Sequence, residues 1–177
     1  MGIRSKYRAL LVLLLIISCL NIAHADTDRE YGLKAAYLLS FARFVYWPEG
    51  TNEDEIKHFN ICVYGVNPFA GNLQRVTKKK IKKKEIKLLV TDSVKKLSAC
   101  NIVFISKSES DNYLSVLEMV PVGVLTVSDI VGFSEAGGMI EFLRLNNKIK
   151  FDINLKESQA SGIKYRSQLL EVAERLR

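Results

Sequence analysis

The sequence predicts an α/β fold: a mostly parallel sheet flanked by helices, with a C-terminal β-hairpin and a closing helix. Three observations predict it. Short β-branched segments alternate with short helical ones between Phe59 and Ser128. One of them, NIVFIS (Asn101 to Ser106), carries an unbroken apolar run, as a strand buried on both faces does. Beyond it the pattern changes to MIEFLRL and KIKFDIN around Asn146 and Asn147, and asparagine accepts the positive φ that a tight hairpin turn requires.

The elements follow in order. REYGLKAAYLLSFARFVYWP reads as the first helix, with Leu33, Ala36, Tyr37, Ser40, Phe41 and Phe44 on its apolar face and Pro48 as its stop. FNICVYG reads as a strand stopped by Gly65. NPFAGNLQRVT is a short helix, with Asn67 placed to cap it and Pro68 at its first position. EIKLLVT is a strand, DSVKKLSAC a short helix or turn, ESDNYLSVLEMV a helix ended by Pro121, and VGVLTVS a strand. After the hairpin, Asn154 caps LKESQAS, Gly162 ends it, and YRSQLLEVAERLR reads as the amphipathic closing helix. There is no internal repeat or linker, so residues 26–177 form one domain.

Residues 1–25 read as an export signal. Arg4, Lys6 and Arg8 precede the apolar ALLVLLLIISCL, and Ala23 and Ala25 are the small residues a signal peptidase reads, which places cleavage after Ala25. The alternative is a lipoprotein box ending at Cys19. The signal carries three of the 26 basic residues and none of the 19 acidic ones, so processing lowers the net charge from +7 to +4. Six of the remaining basic residues stand together in KKKIKKK (Lys78 to Lys84), read as a solvated loop or edge, or as a surface for anionic lipid or an acidic partner. An exported chain seldom meets nucleic acid, so the basic balance does not point there.

Processing leaves Cys62 and Cys100. In an oxidising compartment an even pair favours a disulfide, two buried thiols being the alternative. With His58 as the one remaining histidine, the pair falls a ligand short of a soft-metal site.

The stretch SDIVGFSEAGGMIEF (Ser128 to Phe142) is the most suggestive loop. Its glycines, Gly132, Gly137 and Gly138, lack the dinucleotide-binding spacing, and a β pattern follows where a phosphate site would have a helix. They read as a backbone device, with Gly137 and Gly138 supplying positive φ at the entrance to the hairpin. Ser128 and Asp129 sit at a strand end, where ligands are contacted, but a serine nucleophile needs a base and His58 has no evident orienting partner. Glu135 and Glu141 show no sign of shared burial. No catalytic residue, metal or cofactor is expected.

The chain also resembles a known family. YGLKAAYLLSFARFVYWP, ICVYGVNPFAGNL, CNIVFIS, VLTVSDIVGFSEAGGMIEF and IKFDINLKESQASGIKYRSQLLEVA occur in the order found in YfiR-like periplasmic proteins. The resemblance implies an α/β homodimer that regulates without catalysing. Its expected partner is the periplasmic sensor domain of an inner-membrane diguanylate cyclase, held inactive until redox stress or an outer-membrane lipoprotein removes the regulator. It also implies a Cys62–Cys100 bridge. A second cysteine pair found toward the C-terminus in the best-studied member has no counterpart here. Candidate contact surfaces are the turn at Trp47 and the loop of Ser128, Asp129, Phe133, Gly137 and Gly138. The alternative function is a small-ligand binding module of a sensing or uptake system, with Asn67, Ser128 and Asp129 lining a crevice at the carboxyl ends of the strands.

Overall fold

The computed structural model describes residues 26–48, 58–81 and 84–177. Residues 1–25, expected to be an export signal and including Cys19, most of the polar connector before β2, and Lys82 and Lys83 lie outside the described residues. Helix α1 runs over 26–44, and β1 (Val45–Tyr46) follows it directly. Then come β2 (His58–Tyr64), α2 (Asn72–Thr77), β3 (Lys80–Ile81), β4 (Lys84–Thr91), β5 (Ile102–Ile105), α3 (Tyr113–Glu118), β6 (Leu125–Ser128), β7 (Ile140–Leu145), β8 (Lys148–Ile153), α4 (Leu155–Ala160), β9 (Lys164–Tyr165), α5 (Ser167–Leu170) and β10 (Arg175–Leu176).

Eight strands form one sheet in the order β10-β8-β7-β6-β5-β2-β4-β3. The run β4-β2-β5-β6-β7 is parallel throughout. β7 and β8 pair antiparallel around Asn146 and Asn147, both at positive φ, and β3 pairs antiparallel with β4. Alternate residues of the central strands feed two cores, because the sheet is covered on both faces. Ile61, Val63, Ile102 and Phe104 face α1, whereas Cys62, Tyr64, Val103 and Ile105 face the opposite layer. On the α1 side Phe41 packs against Phe142 and Phe151 with ring centroids 5.8 and 5.1 Å apart.

The first and last elements depart from the sequence expectations. The buried stripe of α1 is Lys34, Ala35, Leu38, Phe41 and Ala42, while Leu33 is 45% exposed, so the helix is rotated from the expected face. It also stops before Pro48, because Val45 and Tyr46 pair with Tyr165 and Lys164 of β9. The closing helix is not formed: α5 is a single turn, and the chain then runs as β10 parallel to β8. The reason lies in Asp152 of β8, which is fully buried. Arg175 reaches its carboxylate at 2.8 Å and Arg177 at 3.5 Å. Leaving that charge without partners outweighs the helix propensity of a short terminal segment.

Candidate functional site: a cleft at the carboxyl end of the sheet

Helix α1 is antiparallel in effect to the central strands. Its first turns cross the carboxyl ends of the sheet, and its last turn reaches the amino end. From those first turns Glu30, Tyr31 and Lys34 meet Asp129, the residue that follows β6. Lys34, 2% exposed, is ion-paired with both Glu30 and Asp129 and lies 4.3 Å from the centre of the Tyr31 ring. The Tyr31 hydroxyl donates to the same Asp129 oxygen at 2.9 Å. Burial pushes the Tyr31 phenol far above its ordinary range, and the neighbouring Asp129 charge adds to this, so the hydroxyl is a lasting donor. Lys107, after β5, approaches Asp129 at 3.7 Å. The second carboxylate oxygen, Oδ1, is buried without a hydrogen-bond partner.

Glu30, Lys34, Lys107 and Asp129 wall a cleft of about 250 Å³, together with Val131, Leu143, Arg144 and Leu145. Arg144 spans Asp26 and Glu30 at 2.7 and 3.0 Å, and with Glu30 it also walls a wider groove of about 610 Å³ beside the β7–β8 turn.

The loop between β6 and β7 joins two parallel strands without a helix, and Glu141 holds it. The buried carboxylate accepts from the backbone N–H groups of Gly132 and Ser134, each at 3.0 Å, and from the Ser134 hydroxyl at 2.8 Å. Gly137 has φ +106°, as expected, but Gly138 does not have positive φ. It is glycine because a Cβ there would stand 2.1 Å from the Phe133 ring. Phe133 is fully buried and packs beside Tyr113, so it anchors the loop from beneath and presents no surface. The exposed tip of the loop is instead Val131, 90% accessible.

Ser128 is also fully buried. Its hydroxyl donates to the Ile105 carbonyl at 2.7 Å and accepts from the Ile130 N–H at 3.0 Å, so it is committed to the turn. His58 opens β2 at the other end of the sheet, with Nδ1 3.9 Å from Glu85. Glu135 lies at the surface on Arg177, apart from Glu141 in its role. Asn67 accepts from the Phe69 N–H at 2.9 Å, which caps a turn before α2 begins at Asn72. That turn approaches the cleft through Phe69, whose ring packs edge-on against Tyr31 at 5.3 Å. The crevice between β2 and β5, where the strand order reverses, is closed: the Ser108 hydroxyl donates to Glu109 at 2.9 Å and accepts from the Val66 N–H at 3.0 Å, and a Cβ on Gly65 would collide with it. Trp47 stands at the amino end, edge-on to Phe59 at 5.5 Å, away from all of these groups.

Sequence reasoning singled out Asp129 from its place at a strand end but missed Glu30, Tyr31 and Lys34. The available signal was spacing: Lys34 lies four residues before Leu38 and seven before Phe41, on the stripe that α1 buries.

On the opposite face of the sheet Cys62 and Cys100 form a disulfide with a Cα–Cα distance of 5.9 Å. It joins the middle of β2 to a residue two positions ahead of β5, inside the second core.

No curated protein matches the chain. Among solved structures, an ABC domain in complex with L-Trp from Streptococcus pneumonia is similar with a TM-score of 0.46 and 10% identity. The similarity covers 71% of this chain and 56% of that one, a likeness too slight to bear on fold or ligand. The family model described as YfiR/HmsC-like matches residues 31–174, from the cleft-forming turns of α1 to the last turn before β10. With that match across seven of the eight strands of the sheet, the chain belongs to the YfiR/HmsC-like family, whose members are periplasmic, non-catalytic regulators of diguanylate cyclases.

Proposed function

We propose that this protein represses an inner-membrane diguanylate cyclase by binding its periplasmic sensor domain, and so keeps cyclic-di-GMP and biofilm formation low. The observation that carries the reading is the family match over residues 31–174. In this reading the chain is exported with cleavage after Ala25, acts as a homodimer, and is drawn off its target by an outer-membrane lipoprotein. Binding one conformation of the sensor shifts its population. Taking a two-state enzyme from mostly on to mostly off requires about 5.5 kcal/mol of differential binding. A rigid apolar contact contributes to such a difference without an ordering cost, and Val131, on a loop tied down by Glu141, has that character. Deleting the gene is expected to raise cyclic-di-GMP and surface attachment, with restoration by the wild-type copy. Unchanged levels would overturn the reading.

A second reading, a small-ligand binding module, is favoured by one observation: Asp129 Oδ1 is buried beside a cleft with no donor facing it. A buried carboxylate oxygen without a partner costs stability, and a ligand bearing an N–H or O–H donor would recover it. At one hundred times its dissociation constant such a ligand adds about 2.7 kcal/mol to stability. A thermal-shift screen of small polar metabolites reads this directly, and the shift should disappear in Asp129→Asn.

A further inference from the structure

The sheet ends on β3 and β4, and this edge is strongly basic. Arg75 lies in the last turn of α2, Lys78 and Lys79 connect α2 to β3, Lys80 lies in β3, and Lys84 and Lys87 lie in β4. Lys78, Lys79, Lys80 and Lys87 are exposed. The acidic residue of the stretch is Glu85, which faces His58. None of the six cations has an ion-pair partner among the described residues.

Edge protection accounts for part of this. A lysine or two on a short edge strand is enough to discourage pairing with another chain. β3 is itself two residues long, so the edge is already short. A run of like charges without ion-pair partners among the described residues repels itself, and protection alone does not require it.

The register shows where these charges stand. Lys80 lies opposite Glu85 and Ile81 opposite Lys84, at the start of β4 and level with His58 and Phe59 of β2. Trp47 packs on that same Phe59, and Tyr46 beside it is 49% exposed. Lysines and amphipathic aromatics therefore gather at the amino end of the sheet. The cleft and the groove are both at the carboxyl end.

We propose that this basic edge docks the protein on an anionic phospholipid surface. Five of its six cations are lysines. Lysine acts as a point charge that responds to surface potential, while recognition of carboxylates on a protein partner favours the planar, bidentate arginine fork. Tryptophan and tyrosine settle at the headgroup level of a bilayer. Docked in this way, the protein keeps Val131 and the Asp129 cleft directed away from the lipid, free for another molecule.

The test is co-sedimentation of the processed protein with vesicles. Binding is expected to phosphatidylethanolamine–phosphatidylglycerol vesicles and not to phosphatidylcholine vesicles, with release as salt shortens the screening length from about 10 Å at 0.1 M to about 3 Å at 1 M. Lys78→Gln, Lys79→Gln and Lys80→Gln together should lower partition on the order of 100-fold, roughly fivefold for each charge. Arg29→Gln, Lys107→Gln and Lys148→Gln remove the same charge from exposed positions at the opposite end and should change partition by less than about tenfold. Equal losses in the two triple variants, equal binding to neutral vesicles, or absence of binding to anionic ones would each overturn the proposal. So would binding to polyglutamate without binding to vesicles, which would assign the edge to an acidic protein.

Discussion

Lys34 brings a full charge to a place where 2% of its side chain meets water, and it does so between two carboxylates. Lys34→Met keeps the length and loses the charge, leaving Asp129 buried with one neutral donor and the distant Lys107. The variant should unfold about 3–5 kcal/mol more easily in urea. A loss below about 1 kcal/mol would show that Asp129 is hydrated in solution. Gly138→Ala tests the seat of the loop: the added methyl meets the ring of Phe133, itself fully buried, and a cost of about 1–3 kcal/mol is expected. The tyrosines set an alkaline limit. Burial raises the phenols of Tyr31 and Tyr165; Asp129 adds to the first, while the Ser158 hydrogen bond opposes the second. Unfolded phenols ionise near about pH 10, so above that the folded chain binds more protons than the unfolded one. Stability is therefore full below about pH 10 and falls as pH rises past it. Tyr165→Phe should flatten that fall in urea midpoints followed with pH. At this scale the sequence revealed Asp129 by its position and concealed its companions. A lysine on an amphipathic helix is read as solvent-facing, and only the rotation of α1 shows otherwise.

Among the elements, β10 depends on one residue of its neighbour. Removing residues 175–177 takes both arginines from Asp152 and opens the edge of β8. A loss of about 3–5 kcal/mol is expected, and Asp152→Asn in the shortened chain should recover part of it. If the shortened chain is as stable as the full one, the ion pairs do not hold the strand. The same element marks the limit of what was legible. The central strands could be read locally, because two-sided burial makes runs such as IVFI apolar throughout. The Asn146–Asn147 turn and the Asn154 cap could also be read, since each uses residues suited to one local conformation. By contrast, Tyr165 to Arg177 carries a helical pattern, and the strand state of its end, Arg175 and Leu176, is decided by a buried carboxylate on β8. Likewise Val45 and Tyr46 are drawn from the helix by pairing with a segment more than a hundred residues away. Partners so remote leave no trace in a local window.

For the molecule as a whole, the disulfide closes a separation of 38 residues, and its reduction should lower the unfolding free energy by about 4 kcal/mol in the chain-entropy account. Denaturation with and without reductant measures this, and Cys62→Ala with Cys100→Ala provides the same comparison without reductant. The family's regulatory setting makes a second measurement informative: cyclic-di-GMP in cells carrying the double variant separates loss of stability from loss of control. The bridge also bears on how the chain matures. Both sulfurs precede β6, β7, β8 and β10, whose strands fill one half of the sheet. A polypeptide crossing a membrane with its N-terminus leading thus presents both thiols to an oxidase while its last third is still in transit, and the crosslink can be sealed before the cleft exists.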